Sequence, residues 1–259
     1  MSGSLAGRHA LVTGGGRGIG AAIATALAGE GARLTLLGRD RSVLEAHAVT
    51  LPASADARVV VADVGDEAAV AGGFAEARAG HGEVEILINN AGIAASRPLA
   101  KLDAATWNAI VGINLTGTYH CTRAAAPAMI AAGYGRIVNV ASTAGLVGGK
   151  YLAAYCAAKH GVIGLTRALA VEFAADGITV NAVCPGFTES AMLDRAVSGI
   201  AAATGRSPEA AAAALLSRNP LGRFVRAAEV AGTVVWLCDP GSAAITGQAI
   251  VIDGGEVQH

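Results

Sequence analysis

Tyr155 and Lys159 are four residues apart, so any helix that carries them sets both side chains on one face. A free phenol has a pKa of about 10, too high for an efficient base at neutral pH. A neighbouring ammonium favours the phenolate and lowers that value. Ser142, thirteen residues upstream, can hydrogen-bond an oxygen held at the same place and steady charge developing there. Such a trio suits proton transfer to or from an oxygen on carbon. Each member has a blander reading, because a YxxxK pair is frequent by chance. Tyr151 is a rival tyrosine, but the residue four positions on is Tyr155, not lysine.

A second constellation gives the trio a partner. Thr13-Gly14-Gly15-Gly16-Arg17-Gly18-Ile19-Gly20 joins an apolar β-like run to an amphipathic helix near the N-terminus. Gly14, Gly18 and Gly20 let the backbone pass close under a pyrophosphate. The helix from Ile19 onward points its first amides at that anion. This context predicts a dinucleotide site. The next strand ends in Gly38-Arg39-Asp40, where an acidic residue would grip the ribose hydroxyls of NAD. Gly38 stands there instead. Arg39, together with Arg17 in the glycine turn, favours a 2′-phosphate and hence NADP(H). Asp40 is the opposing observation: it could swing back to the ribose, leaving NAD(H) possible, or neutralise Arg39. Asp63-Val64 offers a carboxylate to the adenine amino group. Asp66 is the better helix cap of the two aspartates. Asn89-Asn90-Ala91-Gly92 can line the adenosine side and brace the sheet.

These residues need a frame. The β-like runs are His9–Thr13, Arg33–Leu37, Arg58–Ala62, Ile86–Asn89, Gly135–Ala141, Thr179–Cys184 and Ala249–Ile252, and all but the last are followed by helical material. That alternation predicts an α/β fold: one doubly wound (Rossmann) parallel sheet of about seven strands with helices on both faces. Residues 1–259 read as one domain with no linker. Two long helices are expected, at Thr106–Ala131 and at about Leu152 to Ala175. Between Pro185 and Arg226 there is no strand signal, and residues 186–226 are expected to form a helical lid.

Bulk composition agrees. The chain of 259 residues is 53% hydrophobic and 15% charged, which suits sheets buried on both faces and not disorder. A formal net charge of -1 gives no basic excess for nucleic acid. The histidines lack metal-ligand spacing, no apolar run is long enough for a membrane span, and no signal peptide is read at the N-terminus. Cys121, Cys156, Cys184 and Cys238 form no CxxC and read as reduced, mostly buried residues of a cytoplasmic protein.

In order along the chain, TGGGRGIG at Thr13–Gly20, NNAG at Asn89–Gly92, Asn114 in Asn-Leu-Thr-Gly, Ser142, YCAAK at Tyr155–Lys159 and Asn181-Ala-Val-Cys-Pro-Gly186 resemble the short-chain dehydrogenase/reductase family. The resemblance runs from about Gly7 to Gly255. It implies an NAD(P)-dependent enzyme that moves a hydride between nicotinamide and a carbonyl or secondary alcohol. Tyr155 would exchange the proton, Ser142 steady the oxygen, and Lys159 hold the cofactor ribose. It further implies that Asn114 holds a proton-relay water and that the loop after Pro185-Gly186 covers the nicotinamide. Thr188 would lie near the carboxamide and Ser190 near the phosphates. It also implies a homotetramer built from the two long helices and the last strand. A dinucleotide sensor of the same fold would be expected to lack the tyrosine or the lysine; both are here.

The substrate is less sharply written. The run from Asn181 to Met192 and Pro220–Arg226 resemble 3-oxoacyl-thioester and aromatic-polyketide ketoreductases. The segment Ala196–Ser217 also resembles the lid of 3-hydroxybutyrate dehydrogenases. Those must grip a small free carboxylate, yet the positions expected to do so, Ala94, Ala144 and Leu152, are apolar, and Lys150 is two residues out of register. A pocket roofed by Leu146, Leu152, Phe187, Met192 and Leu193 suits a 3-oxoacyl or 3-hydroxyacyl thioester, CoA- or carrier-linked, or a similar hydrophobic ketone. The alternative is a secondary alcohol or ketone without a thioester. Arg97 and Arg223 read first as solvated surface arginines and second as contacts to a carrier phosphate.

Overall fold

The computed structural model describes residues 3–217 and 219–258. Among them the strands are β1 His9–Thr13, β2 Arg33–Gly38, β3 Arg58–Val61, β4 Ile86–Asn89, β5 Gly135–Val140, β6 Ile178–Pro185 and β7 Ala249–Ile252. They form one parallel sheet in the order β3-β2-β1-β4-β5-β6-β7. The expected doubly wound α/β sheet is recovered, with strand ends shifted by a residue. β1 pairs with β2 on one side and β4 on the other, so the order in which strands are added reverses there and opens a crevice at the carboxyl ends.

The helices are α1 Gly18–Gly29, α2 Arg41–Ala48, α3 Glu67–His81, α4 Ala104–Val111, α5 Gly117–Ala132, α6 Ala153–Phe173, α7 Ala191–Thr204, α8 Pro208–Leu216 and α9 Ala227–Cys238. Side chains of Asp40, Asp66, Asp103, Ser190 and Ser207 accept first-turn amides and fix five of the starts. On one sheet face Leu34, Leu36, Val138 and Val140 pack with Ile23 and Leu27 of α1 and Val230, Val234 and Leu237 of α9. On the other, Leu11, Leu37, Leu87 and Val180 meet Phe74 of α3, Cys121 and Met129 of α5 and Phe173 of α6. Alternate strand residues serve opposite faces, which is why the strands read as unbroken apolar runs.

Two expectations need correction. The helix predicted over Thr106–Ala131 is α4 and α5 joined by a π turn at Gly112–Thr116. Asn114 sits in that turn, and its amide donates to Ile110 O, a carbonyl one turn back. The helix predicted from Leu152 to Ala175 is α6 followed by a 3₁₀ turn, Ala174–Asp176.

Between Pro185 and Arg226 the described residues form α7, α8 and an isolated parallel bridge between Thr188 and Val225. Gly205, at φ +68°, closes α7, and Ser207-Pro208 opens α8. The two ends of the segment are strapped together: Val225 N–H donates to Phe187 O and Glu189 N–H to Val225 O, both at 2.9 Å.

Candidate active site

The glycine turn lies between β1 and α1 at the switch point. Gly14 and Gly18 have φ of +65° and +56°, conformations that cost a side chain dearly. At Gly20 a Cβ would stand 2.2 Å from Gly14 O and 2.4 Å from Asn90 Nδ2, so no other residue fits. Thr13 anchors the turn. Its Oγ1 accepts from Asn90 N–H at 2.9 Å and Ala91 N–H at 3.0 Å, and Asn90 Nδ2 donates to Thr13 O at 2.9 Å. Asn89 braces β4 to β5 through Asn139 Oδ1, and Asn139 donates on to Thr166. Sequence reasoning missed Thr13 and Asn139 as hubs; Thr13 was in view as the first letter of the glycine motif.

α1 begins with no side-chain cap and no acidic residue in its first turn, so its first amides can face an anion. Ser190, the cap of α7, approaches the same turn: a Cβ on Gly18 would lie 3.6 Å from Ser190 Cβ. The backbone cradle therefore fits a pyrophosphate. Arg17 and Arg39 are both exposed. Among the described residues no ion pair joins Asp40 to Arg39: Asp40 Oδ1 accepts from Val43 N–H and Ser42 Oγ as the cap of α2, and Arg17 is the cation that acts on its carboxylate. The acid facing Arg39 is Asp63, 3.7 Å away, whose Oδ1 also accepts from Gly65 N–H. Val64 is buried. Its O is 3.0 Å from His120 Nδ1.

Ser142 stands just past β5, and Ala144 N–H donates to its Oγ at 3.1 Å. Tyr155 and Lys159 lie on the first turns of α6. Tyr155 packs, as do Ile93, Ala95, Leu102 and Leu115, against a buried cluster of Ile110, Ala154 and Ala158, an apolar wall the sequence did not flag. Lys159 is buried, donates from Nζ to Val140 O at 2.7 Å, and holds that nitrogen 5.7 Å from the centre of the Tyr155 ring. Burial pushes Tyr155 up to about 12, although a hydrogen bond with Ser142 pulls the other way, and pushes Lys159 down to about 8. The expected lowering of Tyr155 by the ammonium is thus reversed in the protein alone. Desolvation of the phenol dominates, and the lysine charge is itself weakened by burial and engaged by a carbonyl.

Asn114 is buried under the same cluster. Its Nδ2 donates to Ile93 O and Ile110 O at 2.8 Å, while its Oδ1 has no partner among the described residues. A Cβ on Gly92 would come within 2.6 Å of that oxygen. A buried acceptor with room around it fits a hydrogen-bonded water in a relay.

The expected pocket is only partly assembled. Ala94 is exposed on the loop that carries Ile93 and Ala95, while Leu152 and Ala144 flank Tyr155 and Ser142 in sequence. Leu146 is half-buried and packs against the Ala141, Val162 and Ile163 cluster. Leu193 lines a separate cavity of about 650 Å³ between α7 and α8, with Val197 and Phe224. Phe187 and Met192 are half-buried at the entry to the lid. Pro185 ends β6, and Gly186 N–H donates to Ile252 O. Thr188 is buried with its hydroxyl on Gly186 O, and Ser190 Oγ donates to Thr188 O. Arg223 is partly exposed but paired: Glu229 accepts from its guanidinium at 2.8 and 2.7 Å.

Residues 14–256 match the family model described as enoyl-(acyl carrier protein) reductase. The chain is a short-chain dehydrogenase/reductase. It is 39% identical over 256 residues to 2-(S)-hydroxypropyl-CoM dehydrogenase 3 of Xanthobacter autotrophicus, covering 98% of each chain. It is 38% identical to the 3-oxoacyl-(acyl-carrier-protein) reductase of Escherichia coli over 249 residues, 96% of this chain and 97% of the other. A solved structure of an actinorhodin polyketide ketoreductase variant with NADPH superposes with a TM-score of 0.95 at 37% identity, covering 100% of both chains. As a short-chain dehydrogenase/reductase the protein is an oxidoreductase of CH–OH and C=O groups, in a family that uses NAD(P)(H).

Proposed function

We propose that the protein is an NADP(H)-preferring reductase of 3-oxoacyl thioesters or similarly hydrophobic ketones, with Asn114, Ser142, Tyr155 and Lys159 as its catalytic residues. The observation that carries this reading is the Tyr155 phenol, set in an apolar wall with the buried Lys159 nitrogen 5.7 Å from its ring centre and Ser142 close enough to act on its proton affinity. A bound nicotinamide supplies the hydride. At neutral pH Tyr155, raised to about 12, is a protonated acid able to donate to an oxygen becoming alkoxide. Ser142 Oγ steadies that oxygen. Lys159 spends one donor on Val140 O and has two more for a ribose hydroxyl and a water shared with Asn114 Oδ1.

Gly14, Gly18, Ile19 and Gly20 would hold the pyrophosphate, with Ser190 beside them. Asp63, Val64, Asn90, Ala91 and Gly92 would line the adenosine side, and Pro185, Gly186 and Thr188 the nicotinamide. The NADP(H) preference is supported by Arg17 and Arg39 at the surface and by Asp40 being spent as a cap. The ketoreductase neighbour was solved with NADPH. Its name, and those of the carrier-protein reductase and CoM dehydrogenase, support a substrate on a carrier or thiol. Self-association into a homotetramer is supported by exposed Trp107 on α4, Tyr119 and Ile130 on α5 and Val171 on α6. Free cysteines support a cytoplasmic setting, and no helix among the described residues is long and apolar enough to cross a membrane.

Fluorescence titration with NADPH and NADH tests the cofactor half of this reading, with at least tenfold tighter NADPH binding expected. Equal or tighter NADH binding would overturn it. A panel of 3-oxoacyl thioesters and bulky ketones then tests the substrate half.

A further inference from the structure

Two loops bring residues to Tyr155. One, residues 90–102 after β4, supplies Ile93, Ala95 and Leu102 to its apolar wall; the other, residues 141–152 before α6, supplies Ser142. They are joined where Arg97 N–H donates to Tyr151 O at 2.9 Å. Tyr151 there has φ +66°, a left-handed conformation that a bulky side chain rarely adopts. Strain of this kind persists where its surroundings impose it, and it gathers at functional sites. The Arg97 bond and the start of α6 two residues later impose it here. The ring is 48% exposed, with Lys150 Nζ 5.0 Å from its centroid.

Charge gives this rim a direction. The chain has 19 lysines and arginines against 20 carboxylates, yet the two loops hold Arg97, Lys101 and Lys150 and no acidic residue. The next acid along, Asp103, spends its carboxylate on Thr106 N–H as the cap of α4. By contrast the cavity of the lid is lined by Glu189, Asp194 and Glu209. An anionic group is therefore drawn to the loops and away from that acidic cavity. Next to Tyr155 the lining is apolar. The matching substrate has an apolar acyl part inside and an anion outside.

Building on the thioester reading above, we infer that Lys150 and Tyr151 determine specificity for acyl groups carried on a phosphate-bearing thiol. Lys150, with Arg97 and Lys101 near it, meets the phosphate, and the Tyr151 ring underlies the linker. Coenzyme A and a phosphopantetheine-bearing carrier protein share that chemistry.

The test presents one 3-oxoacyl group on coenzyme A, on such a carrier protein, and on N-acetylcysteamine, which lacks the phosphate. In the wild type, KM for a phosphate-bearing form is expected at least about tenfold below that of the truncated thioester, a gap that narrows as salt is raised. Lys150→Glu is expected to close the gap, while Arg78→Glu on α3, far along the chain and paired with Glu83, leaves it open. Tyr151→Gly is expected to raise the melting temperature by relieving the strain while it narrows the gap. A lower KM on the carrier protein identifies that source; a lower KM on coenzyme A identifies the other. No gap in the wild type, or a gap that survives Lys150→Glu, overturns the inference with the thioester reading intact. Turnover of bulky ketones and of no thioester at all overturns both.

Discussion

α6 and the pair α7–α8, the proposed lid, are written in much the same letters, yet they occupy opposite physical regimes. α6 buries Ala154, Ala158, Lys159, Val162, Ile163, Thr166, Ala170 and Phe173 along its length. Among the described residues α7 buries Leu193 and α8 buries Ala211, and nothing more. The first is fixed by the sheet behind it; the second is held by its straps at Phe187, Glu189 and Val225. The difference teaches a division of labour. Groups proposed to move a proton need close placement, and Tyr155 and Lys159 lie on the deeply buried element. A cover that must admit substrate and release product can be built only where little is buried.

The largest effect expected on this contrast is at Tyr155. Tyr155→Phe keeps the ring in its apolar wall and removes the hydroxyl, so kcat is expected to fall about 1,000-fold or more with NADPH affinity nearly unchanged. Stopped-flow turnover and fluorescence titration on one preparation read both. Retained turnover would remove Tyr155 from the rigid catalytic set.

The contrast itself can be broken by hydrogen exchange. Amides of α7 and α8 are expected to exchange at least about 100-fold faster than those of α6, and to slow when NADPH is added. Equal protection in the cofactor-free protein would make the lid a fixed wall.

The rigid half carries its own acid weakness at the amino ends of the strands. His9 is fully buried, with Nδ1 2.9 Å from Gly82 O and Nε2 2.9 Å from Thr35 Oγ1, and burial pushes its pKa down to about 4. The unfolded chain binds this proton at about 6.5, so stability is intact above that pH and falls as pH drops from about 6.5 toward 4. The loss attributable to His9 approaches about 3 kcal/mol. Urea unfolding at pH 7 and pH 4.5, with His9→Gln for comparison, measures it; the variant is expected to lose less stability on acidification.

The smallest effect sharpens the role of Lys159. Its pKa near 8 means that the ammonium is present below that pH and lost above it. NADPH affinity is expected to weaken several-fold between pH 7 and pH 9, and Lys159→Met is expected to flatten the profile. A wild-type profile already flat would show that the ammonium does not hold the cofactor.

Much of this was legible in the sequence because it is local. Apolar runs broken by turn residues mark the seven strands within a residue of their ends. The helix period puts Tyr155 and Lys159 on one face with no tertiary information. What was not legible depends on neighbours distant in sequence. The π turn at Gly112–Thr116 looked like ordinary helix, and nothing local says that Asn114 will be aimed at Ile93 O. Leu146 and Leu193 are apolar letters in a suitable segment, and only packing sets one against the Ala141, Val162 and Ile163 cluster and the other in the cavity between α7 and α8. Arg223 looked available until the fold set Glu229 against it.

The sequence by itself determined the succession of strands along the chain, the glycine turn and the residue types of the tyrosine–lysine pair, since these follow from backbone sterics, periodicity and side-chain chemistry. Only the tertiary structure decided which aspartate faces Arg39, how Thr13 and Asn90 tie the turn to β4, and that burial, not the lysine charge, sets the proton affinity of Tyr155. Those outcomes come from desolvation and from contacts closed across tens of residues, which no local pattern encodes.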